Sequence, residues 1–155
     1  MQLILLTHSR EIHKTSNTGQ LISRIIPNVK TIIWQRTEPD KGLLKLIAEG
    51  ETALVFQREG SIASDYISQY KYYILIDSTW QEARKIYNRS PYLHDLPCIQ
   101  LSTGKQSRYN LRRNQLDGGL CTAECAIELF GVAGLNEQAR LLDKEFSIFI
   151  GDELA

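Results

Sequence analysis

Short apolar runs alternate with helix-period segments over most of the chain, and this alternation limits the fold more than any other feature. QLILLTH (2–8), KTIIW (30–34), TALVFQ (52–57), YYILID (72–77) and LPCIQLS (96–102) read as strands. TGQLISRII (18–26), GLLKLIAEG (42–50), SIASDYISQY (61–70) and TWQEARKIY (79–87) read as helices. The pattern predicts an α/β fold, with a mostly parallel sheet and helices on both faces. The stretch GKQSRYNLRRNQLDGG (104–119) is polar and irregular, and helical patterns follow at 120–131 and 135–147. With 155 residues and no repeat or linker, one domain spanning 1–155 is expected.

No run approaches the ~18 apolar residues of a membrane span. The opening MQLILLTHSREIHK lacks a basic leader and does not read as a signal peptide. Cys98, Cys121 and Cys125 form no CxxC pair and are odd in number, which predicts reduced thiols in a cytoplasmic protein, with neither a disulfide framework nor a metal site. Formal charge is zero overall. Residues 81–113 carry seven Lys/Arg against two Asp/Glu, a net of +5, while 114–155 carry two against eight, a net of −6. The basic middle is either ordinary solvated surface or a face for a polyanion.

In parallel sheets, ligands bind beyond the carboxyl ends of the strands. Three such ends carry polar clusters: 7–11 (THSRE), 57–60 (QREG) and 77–79 (DST). Asp77 ends an apolar run and is either a helix cap or a carboxylate in a ligand cleft, while Ser78 or Thr79 can cap the helix instead. Trp80 either packs in the core with Ala83, Ile86 and Tyr87, or walls a pocket or stacks on a base. Asn17-Thr18-Gly19 is either a plain helix start or an anion-holding one. His8 and Glu11 form either a solvated loop pair or a substrate-facing one. Lys105, Arg108, Arg112 and Arg113, with Tyr109 among them, suit RNA phosphates and an unstacked base, though many surface loops look alike. Glu124 either favours a helix dipole or faces the cleft. There is no Walker loop, no GxGxxG after a strand and no GxSxG elbow.

Four stretches, in order, resemble the DTW-domain proteins, whose signature is Asp-x-x-Trp. They are THSREIHKTSNTG (7–19), LIDSTWQEARKI (75–86), SPYLHDLPCIQLS (90–102) and YNLRRNQLDGGLCTAECAIELF (109–130). The family is similar to tRNA-uridine aminocarboxypropyltransferases. These use S-adenosylmethionine as co-substrate, move its 3-amino-3-carboxypropyl group to N3 of a tRNA uridine, and release methylthioadenosine. The resemblance implies a SPOUT-like fold with a C-terminal trefoil knot. SPOUT relatives are often dimers, so a homodimer is among the expectations. NTGQLISR (17–24) also resembles the opening of some SPOUT ribose methyltransferases, in which case Arg24 matters most. The alternatives are a SPOUT-type RNA methyltransferase and a non-catalytic S-adenosylmethionine or RNA-binding module.

Carried onto this sequence, the resemblance implies Asp77 and Trp80 as catalytic residues. Asp77 would be the base that takes the uridine proton or, alternatively, the holder of the cofactor's amino group. Ser78, Thr79, Phe56 and Gln57 would lie at the cofactor, as would Leu101, Leu116, Leu120, Thr122 and Glu124. His8, Glu11, Asn17, Arg108, Arg112 and Arg113 would meet the tRNA. The chain departs from relatives in three ways. It lacks the cysteine-rich N-terminal segment of many of them. It has Cys121 and Cys125 where Ser and Ala are typical. It has Gln57-Arg58 where relatives often place a proline.

Overall fold

The computed structural model describes residues 1–56, 61–63, 69–101 and 120–151. The strands are β1 (Gln2–His8), β2 (Lys30–Trp34), β3 (Thr52–Val55), β4 (Ile62–Ala63), β5 (Tyr72–Asp77) and β6 (Cys98–Gln100). The helices are α1 (Gly19–Ile25), α2 (Lys41–Ala48), α3 (Trp80–Asn88), α4 (Pro91–His94), α5 (Thr122–Val132) and α6 (Asn136–Phe149). The strands form one sheet in the order β2-β1-β5-β3-β6-β4, and each pairing is parallel.

Strand alternation divides the core in two. Leu3 and Leu5 of β1, with Tyr73 and Leu75 of β5, pack beneath α1, α5 and α6, against Ile22, Ala126, Leu129 and Phe146. Ile4, Leu6, Ile74 and Ile76 turn to the other face and meet Leu43 of α2, Ile86 of α3 and Leu93 of α4. The expected α/β sheet covered on both faces is therefore present.

Two expectations change. The segment 61–70 was expected as a helix, yet Ile62 and Ala63 pair with Ile99 and Gln100 as an edge strand. A free sheet edge beside β6 offers main-chain hydrogen bonds that a short local pattern does not outweigh. The helix α4 was not expected; Pro91 at its start presets the backbone, where its missing N–H costs nothing. The resemblance gives the knot to 99–102 and 117–122; of these, 99–101 and 120–122 are described, while 102–119 lie outside the described residues.

Candidate active site

The adjacent central strands β1 and β5 send their following helices to opposite faces. Leu21 and Ile22 place α1 on one side, and Ile86 places α3 on the other. That divergence opens a crevice at the carboxyl ends, the switch point where such sheets bind ligands. The register pairs Thr7 directly with Asp77 there. Alternation puts both on the α1/α5/α6 side, following Leu5 and Leu75.

Asp77 is 2% exposed. Thr7 Oγ1 donates to its Oδ2 at 3.1 Å. Asn17 Nδ2 lies 3.1 Å from Oδ1 and 3.0 Å from Oδ2. The Thr122 hydroxyl also bonds this carboxylate. Burial pushes the Asp77 pKa above the ordinary carboxylate value; the bonds from Asn17, Thr122 and Thr7 oppose that shift, and the charge of Glu11 adds to it. Gly19 leaves the room the carboxylate occupies, since a Cβ there would lie 2.1 Å from Asp77 Oδ2.

The helix starts are resolved by side chains around this carboxylate. Asp77 caps no helix. Thr79 caps α3, its hydroxyl accepting from the Glu82 N–H at 3.2 Å. Asn17 Oδ1 accepts from the Gln20 N–H at 2.8 Å, so one side chain starts α1 and holds Asp77. Glu124 Oε1 accepts from the Cys121 N–H at 3.1 Å, a sufficient structural role for it. Thr18 Oγ1 accepts from the Ala123 N–H at 3.0 Å, so the start of α1 caps α5, 105 residues away. Leaving that buried N–H unpaired costs ~1–3 kcal/mol. Thr18→Val is expected to lower unfolding free energy by about that amount in urea titration. An unchanged midpoint would show that α5 needs no cap from α1.

The opposite side of β1 carries a second polar group. His8 Nδ1 accepts from the Arg10 N–H at 3.0 Å. Its Nε2 lies 3.7 Å from Glu82 Oε1, which also takes Arg10 at 3.0 Å. The His8 ring stands 5.6 Å from that of Trp34, whose indole N–H donates to Ser90 Oγ at 2.8 Å. Glu11 is buried and pairs with Lys14 at 3.4 Å. The Glu11 N–H donates to the His8 carbonyl at 2.9 Å, while the His8 side chain meets Glu82 and Trp34 and the Glu11 carboxylate meets Lys14.

A cavity of about 410 Å³ runs from Asp77 across β1 toward the β2 edge. Asn17, Gly19 and Asp77 lie along it, with Gln20, Arg24 and Thr31 at its exposed end.

The DTW domain model matches residues 1–153. The chain belongs to the DTW domain family. Two curated relatives are similar to it, both called tRNA-uridine aminocarboxypropyltransferase 2. The protein from Drosophila melanogaster is 26% identical over 141 residues, covering 84% of this chain and 55% of that protein. The one from Macaca fascicularis is 26% identical over 133 residues, covering 80% and 45%. The chain thus spans about half the length of the curated relatives it matches. No solved structure matches it.

Within this DTW domain, Asp77, Asn17 and Thr122 come together as one cluster. Ser78 follows Asp77, and its buried hydroxyl has no hydrogen-bond partner among the described residues. Phe56 stacks on Tyr87 with ring centroids 4.5 Å apart, on the face away from Asp77. Leu101 packs on the α1/α5/α6 core. Leu120 and Glu124 line a separate cavity of about 370 Å³ between α5 and α6. Gln57, Arg108, Arg112, Arg113, Leu116 and the Trp80 side chain lie outside the described residues.

Sequence reasoning did not place Thr7 or Gly19 at the Asp77 carboxylate, and it did not place Arg24 in a cavity with it. The strand register was the missing signal for Thr7. For Gly19, the close approach of Asp77 appears only once α1 is docked. Among the described residues, no helix is long and apolar enough to cross a membrane.

Proposed function

We propose that this DTW domain is an S-adenosylmethionine-dependent tRNA-uridine aminocarboxypropyltransferase, working in the cytoplasm on a SPOUT-like fold closed by a C-terminal trefoil knot. The carrying observation is the signature Asp77, buried at the switch point of a parallel sheet and wrapped by donors from β1, the turn before α1, and α5. The names of the two relatives support the same reading.

In this reading, uridine N3 attacks the methionine carbon attached to the sulfonium. The carbon–sulfur bond breaks, its electron pair stays on sulfur, and methylthioadenosine leaves. The N3 proton passes to water. The sulfonium is a good leaving group, so the protein chiefly aligns the two reactants, which supplies up to ~7–11 kcal/mol. The uridine must be unpaired or extruded, because base pairing occupies N3. Arg108, Arg112 and Arg113 would hold tRNA phosphates, and Trp80 would wall the pocket.

The test is mass spectrometry of the small molecules released from S-adenosylmethionine and unmodified tRNA. Methylthioadenosine with a matching mass gain on the tRNA is expected. S-adenosylhomocysteine would make the protein a methyltransferase instead. Bound cofactor with no product would leave a binding module.

A further inference from the structure

The Asp77 cavity holds two charges that nothing in the described chain neutralises. Asp77 is buried, and its partners Thr7, Asn17 and Thr122 are all uncharged donors. Buried charges in proteins are ordinarily paired. The charge of Glu11, which acts on Asp77, has the same sign. Arg24 lines the same cavity from the α1 side and forms no ion pair among the described residues. Its place in the last turn of α1 suits the helix dipole, an exposed-site effect of only ~0.3–1 kcal/mol. That preference leaves its guanidinium fork available to a planar anion.

One cavity lined by both a buried carboxylate and an arginine is complementary to a zwitterion. We infer that this cavity binds the α-amino acid head of the co-substrate, with Arg24 on its carboxylate and Asp77 on its ammonium. The inference rests on the transfer reaction proposed above, and it gives Asp77 the holding role rather than that of base. The Asp77 oxygens already accept from Thr7 and from Asn17, a setting built to keep a fixed anion in place. Both charged groups sit on the α-carbon, so the two contacts fix that carbon and set the direction in which the rest of the chain, with its sulfonium-bound carbon, extends. Leu5 and Ile12 line the same cavity and suit the methylene segment.

The experiment is calorimetric titration of the full chain, without RNA, using three ligands: S-adenosylmethionine, its decarboxylated form, and methylthioadenosine, which lacks the amino acid arm. The parent is expected to bind S-adenosylmethionine at least tenfold more tightly than either of the others. Arg24→Ala is expected to erase most of that preference while leaving methylthioadenosine affinity unchanged, and Arg24→Lys to restore part of it. Arg24 is exposed, so these variants keep the fold. Asp77→Asn should lose affinity for S-adenosylmethionine and for its decarboxylated form alike, since both carry the ammonium. Equal binding of all three ligands by the parent, or an undiminished preference in Arg24→Ala, overturns the inference and leaves the proposed reaction standing. Binding of none of them overturns the proposed reaction and the inference together.

Discussion

Gly19→Ala is expected to be the most damaging single-methyl change in the described chain. The new Cβ would sit 2.1 Å from Asp77 Oδ2, 2.4 Å from Cγ and 2.6 Å from Oδ1. The carboxylate has little freedom to retreat, because Thr7, Asn17 and Thr122 hold it from three elements. Either α1 lifts from the sheet or those bonds break. Overpacking a core costs ~1–3 kcal/mol, and each lost bond to a charged group a further ~1.5–3 kcal/mol. A loss of about 3 kcal/mol or more in urea titration, with turnover abolished, is the expected result. Gly19 owes its place to space rather than backbone freedom, since its φ is not positive. Asp77→Gly in the Gly19→Ala background should therefore recover stability and not turnover. If Gly19→Ala alone melts like the parent, the close packing of α1 on Asp77 is wrong.

Asp77→Asn is expected to cut methylthioadenosine release by about tenfold to a hundredfold, the worth of ~1.5–3 kcal/mol for a bond to a charged group. If Asp77 were the base instead, kcat alone would fall, by ~10²–10⁴, with cofactor affinity untouched. The substitution also has a pH signature. The folded chain holds the Asp77 proton more tightly than the unfolded chain, because burial raises the pKa above its ordinary 3.8. The unfolded state therefore sheds that proton first as pH rises. Asp77 subtracts stability progressively from the ordinary carboxylate range up to its raised folded value. Asp77→Asn lacks this term. Relative to the parent, its unfolding free energy should rise between pH 4 and pH 7 in urea titrations at each pH. A constant difference across that range would mean that the buried carboxylate titrates like an exposed one.

The basic and acidic halves noted in the sequence fall on different parts of the fold. Arg84, Lys85 and Arg89 lie exposed on and just after α3, while Glu128, Glu137, Asp143 and Glu145 belong to α5 and α6. The net −6 of the last forty-two residues thus gathers largely on the α5/α6 side of the sheet. That placement follows from α5 and α6 being consecutive and packed on the same face.

The sequence by itself determined the strands β1, β2 and β5 to the residue: two-faced burial of β1 and β5 demands continuous apolar runs, and β2 at the sheet edge is a short β-branched run bounded by turns. It determined that the signature aspartate would end a central run at the carboxyl edge of a parallel sheet. It also carried the family resemblance, since four ordered stretches can be compared without coordinates. Tertiary structure alone decided the rest. Whether Asp77 capped a helix or entered a cleft turned on Thr79 taking the cap, and both choices satisfy the same local spacing. The pairing of Asp77 with Thr7 and Asn17, 70 and 60 residues away, depends on sheet register and on the docking of α1. His8 and Trp34 met across β1 and β2 for the same reason. The edge strand β4 formed where the local period suggested a helix, because an unpaired neighbour supplied its hydrogen bonds. Local sequence encodes burial and period; which distant groups share a carboxylate is fixed only when strands choose their neighbours.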